Sequence, residues 1–145
     1  RKGVGGGNLL ILARDTSCAL SIALIGVEAI KKIPNVITPF PGGVVRSGSK
    51  VGSKYKSLPA STNDKFCPAL RNLVPDSQLT SEVGSVMEIV IDGVTEKDVY
   101  IAMRESMKAM LEMGKSSGLI RLSAGNYGGK LGPFHFHLGK IFEEL

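Results

Sequence analysis

The sequence predicts an α+β fold, and two observations carry that prediction. A strand, a helix and a second strand can be read in the first half of the chain, and the same order returns in the second half. With 145 residues, 43% of them hydrophobic and 21% charged, the chain has the size and usage of one globular domain with a real core.

The first strand is read at residues 8–14 (NLLILAR), an apolar run between glycines and Asp15-Thr16. Asp15 and Thr16 are helix-starting residues, and a helix over residues 16–33 follows, with Leu20, Ala23, Val27 and Ile30 at helical spacing. Lys31 and Lys32 suit its negative end and Pro34 stops it. Its other side carries Ile22, Ile25 and Ala29, so a second neighbour, another lobe or subunit, is expected to cover it. Residues 35–40 (NVITPF) read as a strand or edge segment, because Pro39 and Pro41 remove ladder donors. Residues 42–56 form a glycine-rich, basic loop-and-strand stretch, and residues 57–81 a long loop with a short helical piece near 68–73.

Residues 85–91 (SVMEIVI) begin the second unit, with a turn at Asp92-Gly93. Thr95 and Asp98 form a capping box that opens a helix over residues 96–113, whose apolar stripe is Val99, Met103, Met107 and Met110. Gly114 ends that helix; residues 119–123 (LIRLS) are a strand, and residues 134–138 alternate like an edge strand. A β-α-β-β-α-β order predicts a ferredoxin-like sandwich, a mixed antiparallel sheet with both helices on one face.

Composition excludes several classes. The most apolar run, residues 19–30, is too short for a membrane span and carries Ser21, Gly26 and Glu28, so a soluble protein is expected. Cys18 and Cys67 show no CxxC spacing and read as small buried hydrophobes of a reducing compartment. A net charge of +5 favours anionic partners, but with no Trp, three Tyr and five Phe there are few platforms for stacking nucleic-acid bases. Small acidic ligands fit better. The chain starts on Arg1 rather than Met and opens through Gly3, Gly5, Gly6 and Gly7, which reads as a linker within a longer protein.

Among candidate motifs, residues 3–8 approach a dinucleotide fingerprint but precede a strand instead of opening a helix, so a phosphate cradle fails there. His135 and His137 would share one face of a strand, yet no cysteine or carboxylate stands beside them, so no metal site is expected. Neither cysteine lies in an electropositive setting that would activate a thiol. Lys50, Lys54 and Lys56, among glycines that allow tight backbone turns, suit carboxylates or phosphates, or else form a solvated loop. Asn126, Tyr127 and Lys130 in GNYGGKLG have the make-up of a substrate-binding turn.

Glu88 is the most unusual residue. On a strand it faces the same way as Val86 and Val90, with Met87, Ile89 and Ile91 opposite, so either face is apolar. A carboxyl there loses solvation, and its proton affinity rises toward that of a donor working near neutral pH. The residues alone leave open the alternative of a carboxylate on an open sheet face beside a lysine.

Four segments in order, FPGGVVRSGSKVGSKY (residues 40–55), PALRNLVPDSQL (68–79), MEIVIDG (87–93) and LSAGNYGGKLGPFHFHL (122–138), resemble the C-terminal lobe of the formylmethanofuran:tetrahydromethanopterin formyltransferase family. That resemblance covers nearly the whole of residues 1–145 and implies the second lobe of a two-lobed cytoplasmic enzyme, with the N-terminal lobe absent from this chain. It implies transfer of a formyl group from methanofuran to N5 of tetrahydromethanopterin, or the reverse. Both carriers are substrates, and no tightly bound cofactor or metal is expected. It further implies a homo-oligomer, dimer or tetramer, whose partners are small one-carbon carriers rather than nucleic acid or membrane. Glu88 falls in the segment resembling the family's strand with a catalytic glutamate, and Ser49, Lys50, Lys54, Asn126, Tyr127 and Lys130 are the expected substrate-binding residues. The tail, residues 139–145, has no counterpart in the resemblance. A non-catalytic ferredoxin-like binding or assembly module is the rival reading, because such folds serve many roles.

Overall fold

The computed structural model describes residues 2–46, 49–51, 57, 60–125 and 133–145. It is an α+β protein with a five-stranded sheet in the order β2-β6-β1-β7, and β3 also pairs with β6. The strands are β1 (Val4–Ala13), β2 (Val36–Ile37), β3 (Val45–Arg46), β6 (Ser85–Gly93) and β7 (Leu119–Ser123), and all their pairings are antiparallel among the described residues. A separate two-stranded sheet joins β4 (Ser49–Val51) to β5 (Ala60–Thr62).

Helices α1 (Thr16–Ile30) and α2 (Glu96–Glu112) lie on one face of the large sheet. Leu9, Ile11, Met87, Ile89 and Ile91 point toward them and meet Ile22, Ala23, Val27, Val99, Met103 and Met110 in the main core. The alternate residues Leu10, Leu12 and Val86 point the other way, into a smaller cluster with Phe66, Leu79 and Val83. The period-2 alternation of two apolar faces explains why both central strands read as continuous apolar runs.

Both helices start as the sequence predicts. Asp15 caps α1 by accepting the Cys18 N–H at 2.8 Å. Thr95 and Asp98 form a reciprocal box at α2, with bonds of 3.2 and 3.0 Å. Other boundaries move. Helix α1 ends at Ile30 rather than residue 33, because Lys32 and Ile33 donate to Ala29 and Ile30 in tightened turns. Asn35 then turns the chain at φ 64, a conformation asparagine tolerates, and accepts the Val94 N–H. On α1 the buried row is Ala19, Ile22, Ala23, Gly26, Val27 and Ile30, so Ile22 belongs to the core and Leu20 to the surface, the reverse of the expected sides.

Three expectations are corrected. Residues 3–8 are no linker: β1 begins at Val4, and glycine at position 7 lets it close on α2, since a Cβ there would lie 2.5 Å from Val99 Cγ1. Asp92-Gly93 is no turn, because β6 runs through Gly93, which pairs with both Val4 and Val36. Residues 134–137 are not a strand; they lead into α3 (Leu138–Glu143), which covers residues of the unmatched tail and buries Ile141 in the main core. Among the described residues no helix is long and apolar enough to cross a membrane.

Candidate active site

Glu88 sits in the middle of β6, opposite Leu10 of β1 and Val45 of β3. Its alternation places it on the sheet face that lacks the helices, with Leu10, Leu12 and Val86, and it is only 6% exposed. Burial is therefore as the strand pattern predicts. Its carboxylate Oε1 accepts a 2.8 Å hydrogen bond from Asn8 Nδ2.

Asn8 is the residue that the sequence reading missed, having been taken only as the first residue of a strand. Its Oδ1 accepts the backbone N–H of Gly125 at 3.0 Å. One side chain thus ties Glu88 to the residue that immediately precedes Asn126. The available signal was its position, since Asn8, Leu10 and Leu12 alternate on one face and only the first is polar.

A β-bulge sets the orientation of Asn8. Between Val4 and Gly7 strand β1 holds one residue more than β6. Gly6 adopts φ 87 there and donates its N–H to Asp92 Oδ1 at 3.0 Å. Asn8, Gly6, Gly7, Gly125, His135 and Phe136 border a hollow of about 50 Å³ at this end of β1. A wider groove of about 440 Å³, lined by Lys32, Glu105, Lys108 and Glu112, runs between α1 and α2 on the helix side and does not include Glu88.

The remaining predicted site residues are placed unevenly. Ser49 and Lys50 lie on β4, opposite Thr62 and Ser61, with only their backbones described. Lys54, Asn126, Tyr127 and Lys130 lie outside the described residues. His135 and His137 are not side by side on a strand, since His137 precedes α3, and among the described residues no group of three or more potential ligands gathers for a metal.

Both cysteines are free and half-buried rather than buried. Cys18 departs from the expected apolar setting: its Sγ lies 3.6 Å from Arg14 Nη2 and 3.4 Å from Asp15 Oδ2. Hydrogen bonds from the Cys18 backbone N–H and thiol hold the Asp15 carboxyl below its ordinary range, with a smaller contribution from Arg14.

Comparison with known proteins places this chain in a family. A family model described as "FTR, proximal lobe" matches residues 1–141. The formylmethanofuran–tetrahydromethanopterin formyltransferase of Methylobacillus flagellatus is 59% identical over 140 residues, which cover 97% of this chain and 46% of that protein. The enzyme of the same name from Methylococcus capsulatus is also 59% identical, over 97% of this chain and 47% of its own length. Among solved structures, the formylmethanofuran:tetrahydromethanopterin formyltransferase of Methanosarcina barkeri superposes with a TM-score of 0.88 at 41% identity, covering 97% of this chain and 46% of that one. The formyltransferase/hydrolase complex of Methylorubrum extorquens, solved with methylofuran, gives a TM-score of 0.87 at 50% identity over 96% of this chain and 44% of its own. The chain spans about half the length of the curated relatives it matches. On a match over nearly all of its residues, the chain belongs to the family described as FTR, proximal lobe.

Proposed function

We propose that this chain is the C-terminal lobe of a two-lobed formyltransferase that moves a formyl group between formylmethanofuran and N5 of tetrahydromethanopterin. The 59% identity to enzymes of that name carries the proposal. The strand order β2-β6-β1-β7, with α1 and α2 on one face, supports a ferredoxin-like reading of the fold. Both carriers act as substrates, no tightly bound cofactor is required, and the enzyme works in the cytoplasm as a homo-oligomer. Leu20 and Leu24, both exposed on the outer side of α1, support a further contact for that helix. The Methylorubrum relative is itself a subunit of a larger complex.

The chemistry asks little of a protein beyond positioning and proton handling. N5 of the pterin attacks the formamide carbon, the new C–N bond forms, and the carbonyl oxygen takes up charge that hydrogen-bond donors must meet. Collapse breaks the C–N bond to methanofuran. The leaving nitrogen then needs a proton, and the attacking nitrogen must lose one. Glu88 is the group proposed for this exchange. Buried beside Leu10 of the neighbouring strand, Glu88 is proposed to give a proton to the leaving amine and to recover one from N5. Ser49, Lys50, Lys54, Asn126, Tyr127 and Lys130 are proposed to hold the carriers, with the lysines meeting acidic groups.

The test is formyl transfer monitored in the ultraviolet with the two-lobed protein that contains this chain. Turnover of formylmethanofuran with tetrahydromethanopterin is the expected result. No turnover, together with strong salt-dependent binding to generic oligonucleotides, would instead mark a basic nucleic-acid binder. Absence of both would favour the non-catalytic module.

A further inference from the structure

We infer that Asn8 is a positioning residue, a strut that fixes the Glu88 carboxyl relative to the Gly125 backbone beyond β7. The inference rests on the formyl-transfer reading for its kinetic consequence, but its structural half stands on geometry alone.

The orientation of the Asn8 amide follows from its partners. The Gly125 N–H can only donate, so the Asn8 atom 3.0 Å from it is the oxygen. The nitrogen is then directed at Glu88 Oε1, 2.8 Å away. A flipped amide would put its nitrogen against the Gly125 N–H, donor against donor, and lose that bond. The amide nitrogen can donate to Glu88 Oε1 whether that carboxyl is neutral or ionised, so the strut can persist through a proton-transfer cycle.

The strut is itself held from behind. The bulge at Gly6, tied to Asp92, lies two residues before Asn8, and bulges of this kind re-aim the side chains that follow them. Position 7 cannot gain a side chain without a shift, because a Cβ would meet Val99 Cγ1 at 2.5 Å. Asn8, Glu88 and Gly125 come from three separate parts of the chain, 80 and 117 residues from Asn8 in sequence. A catalytic carboxyl and a binding segment on different elements need such a link to keep a reactive geometry within a fraction of an ångström.

The experiment is a double-mutant cycle in the two-lobed enzyme, combining Asn8→Ala with Glu88→Gln, with Asn8→Asp as a second probe. Asn8→Asp keeps an acceptor for Gly125 but removes the amide N–H that donates to Glu88. Both Asn8 variants are expected to lower kcat about 10- to 100-fold with KM little changed. In the Glu88→Gln background, Asn8→Ala is expected to cost less than about threefold more, because residues acting as one unit are not additive. A full, multiplied loss in the double variant, or wild-type kcat in a folded Asn8→Asp enzyme, would overturn the inference. Hydrogen–deuterium exchange reads the other arm without turnover: the Gly125 amide should exchange faster in Asn8→Ala but not in Glu88→Gln. If the wild-type enzyme transfers no formyl group, the proposed function fails, and exchange alone decides the strut, with unchanged Gly125 protection in Asn8→Ala overturning it.

Discussion

Ser106 and Gly26 illustrate how single residues set the packing of this core. Ser106 is fully buried, and its hydroxyl has no partner among the described residues. Its replacement by alanine is expected to leave stability unchanged or raise it by about 1 kcal/mol, since a buried unpaired hydroxyl costs more than it returns. Gly26 faces it across the helix pair, where a Cβ would lie 2.7 Å from Ser106 Oγ and 3.1 Å from Ile89 Cδ1. Gly26→Ala should therefore cost about 1–3 kcal/mol by overpacking, despite alanine's better helix propensity. The loss should shrink in the Ser106→Ala background, and urea unfolding of the four proteins checks both statements. The burial of Glu88 was legible because strand alternation leaves it no polar face. Asn8 was hidden because its meaning depends on Glu88 and Gly125, far away in sequence. The polar setting of Cys18 was hidden likewise, since Arg14 and Asp15 reach it only once the strand has turned into the helix.

The helix starts of the two units are the best-read elements. Thr95→Ala removes one side of the capping box of α2 and should destabilise by about 1 kcal/mol in thermal or urea unfolding. Asp15 gives a pH-dependent counterpart at α1. Its carboxyl is held below the ordinary value of 3.8, chiefly by the Cys18 N–H, so its contribution is present above that value and disappears as pH falls through the lower folded value. Asp15→Asn keeps an acceptor for the Cys18 N–H and should flatten the acid limb of a stability–pH curve without abolishing the cap. An unaltered acid limb would contradict this. The elements misread were those decided by tertiary contact. Residues 134–138 alternate as a strand would, yet the chain gains more by burying Ile141 through a short helix, and the Tyr100 hydroxyl donates a hydrogen bond to the carboxylate of its C-cap residue Glu144, which raises the tyrosine pKa. The glycines before Asn8 looked like a linker because glycine density signals loops, whereas Gly7 here serves close strand–helix approach.

On the scale of the whole molecule, a two-faced sheet separates structure from the proposed chemistry. The helix side carries the larger core, and the opposite side carries Glu88 above a smaller apolar cluster. The cover on that second side is tied down by Arg71, which donates to the backbone oxygens of Ser81 and Val83, and by Arg121, which donates to Gln78. Arg71→Ala should loosen residues 64–83, raising their hydrogen exchange while leaving exchange of α1 and α2 unchanged. Global loss of protection would instead place Arg71 in the main cooperative unit. The α+β class and the order of the main elements were legible because each half repeats one apolar pattern. In the covering segment the short helical piece near residues 68–73 was legible and is a 3-10 turn at Pro68–Leu70, whereas the side-chain-to-backbone bonds that hold the cover have no period.

The Glu88 carboxyl, buried on the sheet face and held by Asn8, is proposed to handle the proton in formyl transfer. The most direct test is single-turnover transfer from formylmethanofuran to tetrahydromethanopterin by the two-lobed enzyme and its Glu88→Gln variant, with folding checked by circular dichroism. A folded variant that binds both carriers and transfers formyl at least about 100-fold more slowly is expected, as when a general acid or base is removed. A folded Glu88→Gln enzyme that transfers formyl at the wild-type rate would contradict it.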